Sequence, residues 1–273
     1  TIAATKFLMA GYPVLFRAPC AAKALWRTYI YNLHGLRALH TSSTKMEPGG
    51  KATARGVVFD MDGTLLKPVI DFAEMRRRVG VLPDQGDILD VINRWPEAKR
   101  AEAYATIAEI EEQALRDMAL MPGALELCEF LDQRGLPRGL ITRNVRRSVQ
   151  YFHDFMGLVP FKPAITRECE FPYKPSPAAL QHIAAAWGVE TSEVLMVGDS
   201  VRDDVVSGNR AGAITVLLDY SGEGPSSVPR RTPESFSGDQ RPHHVVGSLN
   251  ELQELLENCY TLLPPPLPPL GIS

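Results

Sequence analysis

Five short apolar runs recur through the middle of the chain, separated by stretches of helical pattern. The runs are Gly56-Val57-Val58-Phe59, Gly139-Leu140-Ile141-Thr142, Pro163-Ala164-Ile165-Thr166, Val194-Leu195-Met196-Val197 and Ile214-Thr215-Val216-Leu217-Leu218. The helical stretches are Gly123 to Arg134, Val145 to Phe155, Pro177 to Trp187 and Asp203 to Ala211. A strand that is apolar throughout, rather than at alternate positions, is covered on both faces. Strands of this kind alternating with helices predict a parallel sheet flanked by helices, an α/β fold. In such sheets ligands gather at the carboxyl ends of the strands, and Asp60, Thr142 and Asp199 stand there.

One interval breaks the alternation. From Pro68 to Leu120 the pattern is helical only, with Tyr104, Ile107, Ile110, Ala114 and Met118 forming one apolar stripe at three- and four-residue steps. Because strands resume afterwards, this interval reads as a small helical cap inserted into the core. The expected organisation is a core over 47–67 and 121–257, a cap over 68–120 and a proline-rich tail over 258–273.

Charge divides the chain again. Residues 1–46 hold six Lys or Arg and no Asp or Glu, whereas the whole chain carries -3, so the remainder carries -9. The acid-free leading segment has cations and apolar residues on separable helix faces, then Thr41-Ser42-Ser43-Thr44. It resembles an organelle transit peptide, with mitochondrion favoured over chloroplast and an organelle matrix as the destination. Its longest apolar run, Phe7 to Phe16, is broken by Pro13 and is about half of a bilayer crossing, so no membrane anchor is expected. The acidic remainder argues against nucleic acid as a partner. Four well-separated cysteines suggest neither a zinc site nor a disulfide framework. The tail Pro264-Pro265-Pro266-Leu267-Pro268-Pro269 favours polyproline II; it reads as solvated, with a weak SH3- or WW-type contact as its alternative use.

The chemistry concentrates in Asp60-Met61-Asp62-Gly63-Thr64-Leu65, directly after an apolar strand. Two carboxylates two residues apart on a loop repel unless a cation lies between them, and a hard divalent ion such as Mg²⁺ meets that need with oxygen ligands. A lone pair of this kind also occurs on solvated loops and at helix caps. A second acidic group, Gly198-Asp199-Ser200 with Asp203 and Asp204, follows another apolar strand and favours the metal reading.

These motifs resemble those of the haloacid dehalogenase superfamily of hydrolases, which implies a Rossmann-like sheet with a C1-type cap. The first motif is matched by Asp60 to Leu65, the second by Thr142, the third by Lys174 in Tyr173-Lys174-Pro175 and the fourth by Gly198-Asp199-Ser200 with Asp203 and Asp204. Within the family the chain is most similar to the phosphoglycolate-phosphatase-like branch and to plant members known only as hydrolases. The resemblance implies Asp60 as nucleophile, Asp62 as general acid and base, and Mg²⁺ held by Asp60, Asp62 and Asp199, with the Met61 carbonyl as a further ligand. It implies phosphate binding by Thr142, by the backbone N–H groups of Arg143 and Asn144, and by Lys174. Asp203 and Asp204 could each orient Lys174 or water; counting back from Ala211-Gly212 favours Asp204.

The implied activity is Mg²⁺-dependent hydrolysis of a small organic phosphate monoester through an aspartyl-phosphate. Asp62 argues against the dehalogenases and the transport ATPases of the family, which lack that second acid. A phosphomutase of the same fold, and a non-catalytic scaffold protein using the proline-rich tail, are the alternatives. In the cap, the run Arg76-Arg77-Arg78 could grip a second anionic group on a substrate or simply face solvent.

Overall fold

The computed structural model describes residues 51–221 and 229–266; the expected transit segment over 1–46 and the end of the proline-rich tail lie outside the described residues. The main sheet has six parallel strands: β2 (Gly56–Phe59), β3 (Arg138–Ile141), β4 (Ala164–Ile165), β5 (Val194–Gly198), β6 (Ile214–Leu218) and β7 (His244–Val246). Their order across the sheet is β4-β3-β2-β5-β6-β7. The five central runs are strands where the apolar pattern places them, with ends shifted by a residue or two. All residues of β2, β3 and β5 are buried.

Alternation along each strand builds two cores. Val57 and Phe59 of β2, with Leu195 and Val197 of β5, face α4 (Ala124–Gln133), α5 (Arg146–Met156) and α8 (Leu249–Cys259). Val58, Val194 and Met196 face the opposite layer, made by α6 (Ala178–Trp187) and α7 (Val206–Ala211). The result is a sheet between two helical layers, the α/β architecture expected. From β2 the chain proceeds to β3 on one side, and later returns through β5 on the other. The carboxyl ends of β2 and β5 therefore flank the point where the connections diverge, which opens a crevice there.

The segment after β6 falls inside the core expected over 121–257, with no strand or helix marked in it by the apolar runs above. It contributes the edge strand β7 and helix α8, whose Ser248 hydroxyl accepts the Glu251 amide proton as an N-cap and whose Leu249, Leu252 and Leu256 are buried. The proline-rich tail also begins later than expected. Cys259 still belongs to α8, and β8 (Tyr260–Leu262) pairs in parallel with β1 (Ala52–Ala54). Beyond it, Arg55 donates to the Pro264 carbonyl at 2.8 Å, so the first tail proline is held against the body.

The interval between β2 and α4 contains α1 (Phe72–Val79), α2 (Ile88–Ile92) and the twenty-residue α3 (Glu97–Arg116). The two ends of this insertion are tied together: Lys67 N–H donates to Ala119 O, and Met121 N–H to Leu65 O, both at 2.9 Å. Its helices have their own hydrophobic cluster, in which Met75, Val79, Ile88, Ile92, Ala103 and Ile107 are buried. Tyr104 and Ile110 pack against that cluster, whereas Met118, at the far end of the same stripe, packs against the sheet's core. The apolar stripe thus bridges from the insertion to the body.

A separate small cluster makes the insertion locally vulnerable. Ile107→Ala should cost about 2–5 kcal/mol within it. Limited proteolysis should then cut first between residues 68 and 120, with the sheet domain surviving as a resistant fragment.

Candidate active site

The site is assembled from loops that leave adjacent strands. Asp60 follows β2, and its backbone N–H donates to Val197 O of β5 at 2.9 Å. After it the chain reverses at Gly63, whose φ of 77° lies in the left-handed region open to glycine. A side chain on Gly63 would run into the Asp199 carboxylate, and one on Gly198 would run into Asp204. Both glycines let the two acidic loops approach each other. The turn also corrects one expectation. The Met61 carbonyl accepts the amide protons of Leu65 and Leu66, each at 2.9 Å, so its two lone pairs are already used within the loop rather than offered to a cation.

Lys174 lies at the centre, with its side chain 5% exposed. Its ammonium has three protons and three partners: Asp60 Oδ1 at 2.5 Å, Asp204 Oδ1 at 2.7 Å and Ile141 O at 3.1 Å. Burial alone would lower its pKa, but the Asp204 and Asp60 carboxylates outweigh that and hold it above the usual lysine range. The second oxygen of Asp204 accepts the Ser200 amide proton at 3.0 Å. Of the two adjacent acids, Asp204 is therefore the one against Lys174. Asp203 is turned elsewhere, 3.6 Å from Arg143. The backbone places them differently because Val201–Val205 forms a π-helical turn, capped by the Ser200 hydroxyl accepting the Asp203 amide proton.

Carboxylate oxygens of Asp60, Asp199 and Asp204 all lie within 4.8 Å of one another. Three carboxylates against one ammonium leave two negative charges, and their donor set is all oxygen, which suits a hard divalent cation. Burial, with repulsion from Asp204, raises the Asp199 carboxyl to about 6. Burial also pushes Asp60 upward, against the pull of Lys174, with Asp204 and Asp62 adding repulsion. Both shifts are those of acids removed from water and set close together, which the Lys174 ammonium offsets only in part.

The Asp62 side chain does not join that group. Its Oδ2 accepts from Asn144 Nδ2 at 2.5 Å, and the same Nδ2 donates to Thr142 Oγ1 at 3.1 Å. Asn144 was expected to contribute only its backbone; its side chain is what sets Asp62 relative to Thr142. Its backbone N–H donates to Thr142 Oγ1, also at 3.1 Å, within the loop. Thr142 is buried and accepts twice from Asn144, which leaves the hydroxyl's own proton to donate toward a ligand. Burial raises the Asp62 pKa, with Glu111 of the cap adding repulsion and Asn144 and Lys174 opposing. Ser176 Oγ accepts from Ala178 N–H at 3.4 Å, so α6 begins one residue later than the Ser-Pro pair suggests.

Beside Asp62 a cavity of about 320 Å³ opens between the cap and the sheet loops. Arg143 crosses it: its guanidinium bonds Asp87, the N-cap of α2, and donates to Lys174 O at 3.1 Å. Arg167 bonds Glu111 of α3 through both nitrogens, at 2.6 and 3.1 Å. These two cap–core ion pairs have no signature in the sequence, because Asp87 and Glu111 are ordinary polar positions on helical segments. Among the described histidines, His153 accepts from Phe161 N–H and His244 is bonded to the Tyr260 hydroxyl.

A family profile described as haloacid dehalogenase-like hydrolase matches residues 54–212, which include Asp60, Asp62, Thr142, Lys174, Asp199 and Asp204. The chain belongs to the haloacid dehalogenase-like hydrolases. A second profile of the same kind, HAD-hydrolase-like, matches residues 173–252. A haloacid dehalogenase-like hydrolase domain-containing protein of Arabidopsis thaliana is 43% identical over 82% of this chain and 92% of its own length. A phosphoglycolate phosphatase of Pseudomonas savastanoi is 30% identical over 73% of this chain and 82% of its own. Among solved structures, a predicted phosphoglycolate phosphatase from Haemophilus somnus shares the fold, with a TM-score of 0.57 at 19% identity over 76% of this chain and 99% of that one. As a member of this family the chain is a hydrolase, with phosphatases among its relatives.

Removing the central cation tests the site's construction. Lys174→Met leaves Asp60 and Asp204 buried against each other and should cost about 3–5 kcal/mol of stability. Urea unfolding with the midpoint and slope compared to the unaltered protein measures it; a change within about 0.5 kcal/mol would show that the ammonium does not hold the loops together.

Proposed function

We propose that this hydrolase is a Mg²⁺-dependent phosphatase of small organic phosphate monoesters, acting through an aspartyl-phosphate on Asp60. The observation that carries the reading is the ammonium of Lys174 bound to Asp60 and Asp204 at the strand ends, with the Asp199 carboxylate beside them, while Asp62 lines the cavity under the cap. The acids around it suit Mg²⁺, with Asp60 and Asp199 as the carboxylates to hold it, since both oxygens of Asp204 are already bonded. When bound, the ion would neutralise charge on the phosphoryl oxygens.

The chain's own groups account for the remainder. Lys174 holds Asp60 Oδ1, which leaves Oδ2 to attack phosphorus. As the Oδ2–P bond forms, the bond from phosphorus to the ester oxygen breaks. Asn144 holds Asp62 Oδ2, so Oδ1 is the atom that carries a proton to the departing oxygen. Burial raises the Asp62 pKa, which favours the protonated acid that this step needs. Asp62 Oδ1 then takes a proton from the water that attacks the aspartyl-phosphate, and inorganic phosphate leaves as Asp60 is regenerated. Thr142 and Lys174 stabilise phosphoryl charge throughout. The identity with a phosphoglycolate phosphatase over most of both chains supports a small phosphorylated metabolite as substrate.

Asp60→Asn removes the nucleophile with almost no change of shape. It should lower Mg²⁺-dependent phosphate release from a panel of phosphate monoesters by at least about a thousandfold, with an unchanged circular dichroism spectrum. Turnover within tenfold of the unaltered enzyme would overturn the assignment, and isomerised ester without free phosphate would point to a mutase.

The raised carboxyls give Mg²⁺ binding a definite pH dependence. Below about 6 Asp199 is protonated and competes with the ion. Affinity should therefore weaken as the pH falls through that value, by roughly tenfold per unit for each proton displaced. Calorimetric Mg²⁺ titrations at pH 5.5 and 7.5, in buffers of different ionisation enthalpy, read both the affinity and the protons released. An affinity independent of pH would remove these carboxylates as ligands.

A further inference from the structure

The run Arg76-Arg77-Arg78 on α1 divides three ways. Arg77 is 73% exposed and forms a two-point pair with Glu74 on the outer surface. Arg78 reaches across to Glu109 of α3, bracing two cap helices. Arg76 alone of the three lines the cavity that adjoins Asp62. Its guanidinium donates to two backbone carbonyls of the turn before α2, Leu82 O at 3.1 Å and Gly86 O at 2.5 Å. Carbonyls orient a guanidinium but leave its charge in place, and five N–H groups leave donors beyond those two bonds.

The other cations of the cavity differ. Arg143 is paired with Asp87 and Arg167 with Glu111, each by a carboxylate. Arg76 is thus the cavity's cation held by carbonyls rather than by an acid, among the described residues. Asp62 and Asn144 line the same cavity as Arg76, together with the apolar Met75, Ile88 and Ile107 and with Asp203, which lies 3.6 Å from Arg143. A ligand that meets both groups carries its phosphate ester at Asp62, an apolar linker and a second anion at Arg76.

We propose that Arg76 is a specificity-determining residue that binds a second anionic group, a carboxylate or a second phosphate, on the substrate. The inference rests on the phosphatase reading for its reacting end and adds the class of ester. An anion at Arg76 gains charge–charge attraction in addition to its hydrogen bonds in a partly enclosed site, where a neutral acceptor gains the hydrogen bonds alone.

The test compares alkyl phosphates with ω-carboxyalkyl phosphates and α,ω-bisphosphates of two to five carbons, using the full-length protein with Mg²⁺. Arg76→Gln keeps an amide donor for the Leu82 and Gly86 carbonyls while removing the charge; Arg76→Lys keeps the charge, and Arg77→Ala is the surface control. The unaltered enzyme should prefer esters with an anionic tail at one linker length by about tenfold or more in kcat/KM. Arg76→Gln should abolish that preference through KM, with kcat and the alkyl series unchanged, Arg76→Lys should retain part of it, and Arg77→Ala all of it. The carboxylate and bisphosphate arms show which anion fits. An equal loss for both series in Arg76→Gln, or no preference in the unaltered enzyme, would overturn the proposal and assign Arg76 to holding the turn.

A second measurement is independent of turnover. Calorimetric binding of ω-carboxyalkylphosphonates against alkylphosphonates should show the same tenfold difference, lost in Arg76→Gln. If no ester releases phosphate, the phosphatase reading fails, and the phosphonate comparison still decides for or against the anion subsite. Equal binding of the two phosphonates would decide against it.

Discussion

A single buried ammonium organises this protein's working end. Lys174 is bonded to the loop after β2 through Asp60, to the turn after β5 through Asp204 and to the end of β3 through Ile141 O. Three neighbouring strands are thereby tied at their carboxyl ends by one side chain with no proton left unbonded. Charge buried without partners costs several kcal/mol, and two carboxylates close together cost more without a cation between them. Neither the lysine nor the two acids could occupy this place without the others. The same arrangement leaves the acids Asp60 and Asp199 outnumbering the charge of one ammonium, an all-oxygen donor set of the kind that suits a hard divalent cation.

The rest of the site is built outward from that centre by close approach and by tethers. Gly63 and Gly198 have no side chains where Asp199 and Asp204 pass, so the two acidic loops meet in a space that a methyl group would fill. Asn144 then relates Asp62 to Thr142, fixing the second acid at a distance from the first. Outside these, Arg143 and Arg167 bind carboxylates of the cap and set its height above the strand ends. The cap's helices bury Met75, Val79, Ile92 and Ile107 in a cluster of their own, while Met118 at the end of the stripe packs against the sheet's core. The cap's position over the site depends on the ion pairs and on the hydrogen-bonded hinge at residues 65–67 and 119–121.

Much of this was legible from residue patterns, and the exceptions have physical reasons. Runs such as Val194 to Val197 announce buried parallel strands because covering both faces demands apolar residues at every position. β7 and β8, each three residues long, carry too little pattern to be read; their places follow from pairing with β6 and β1, distant in the chain. Helix α8 does carry a periodic signal, in Leu249, Leu252 and Leu256 after the N-cap Ser248. The Met61 carbonyl was misjudged because backbone hydrogen bonds within a five-residue turn leave no mark on side-chain identity. Arg76, Arg77 and Arg78 are the same residue type in succession, and only the rotation of one helix separates a cavity-lining cation from two surface pairs.

By itself the sequence determined the class of fold, the order of the elements and the acids, hydroxyl and lysine available for chemistry at the strand ends. These are properties of local pattern: apolar periodicity follows from what each segment must bury, and short acidic loops after strands follow from where a parallel sheet leaves polar residues. Tertiary structure alone decided that Asp204 and not Asp203 meets Lys174, that Asn144 works through its side chain, and which cap residues close the cavity. Those are matters of direction and distance between segments far apart in the chain. They depend on a π-helical turn, on backbone crossings through glycine and on the angle at which one helix lies over a sheet.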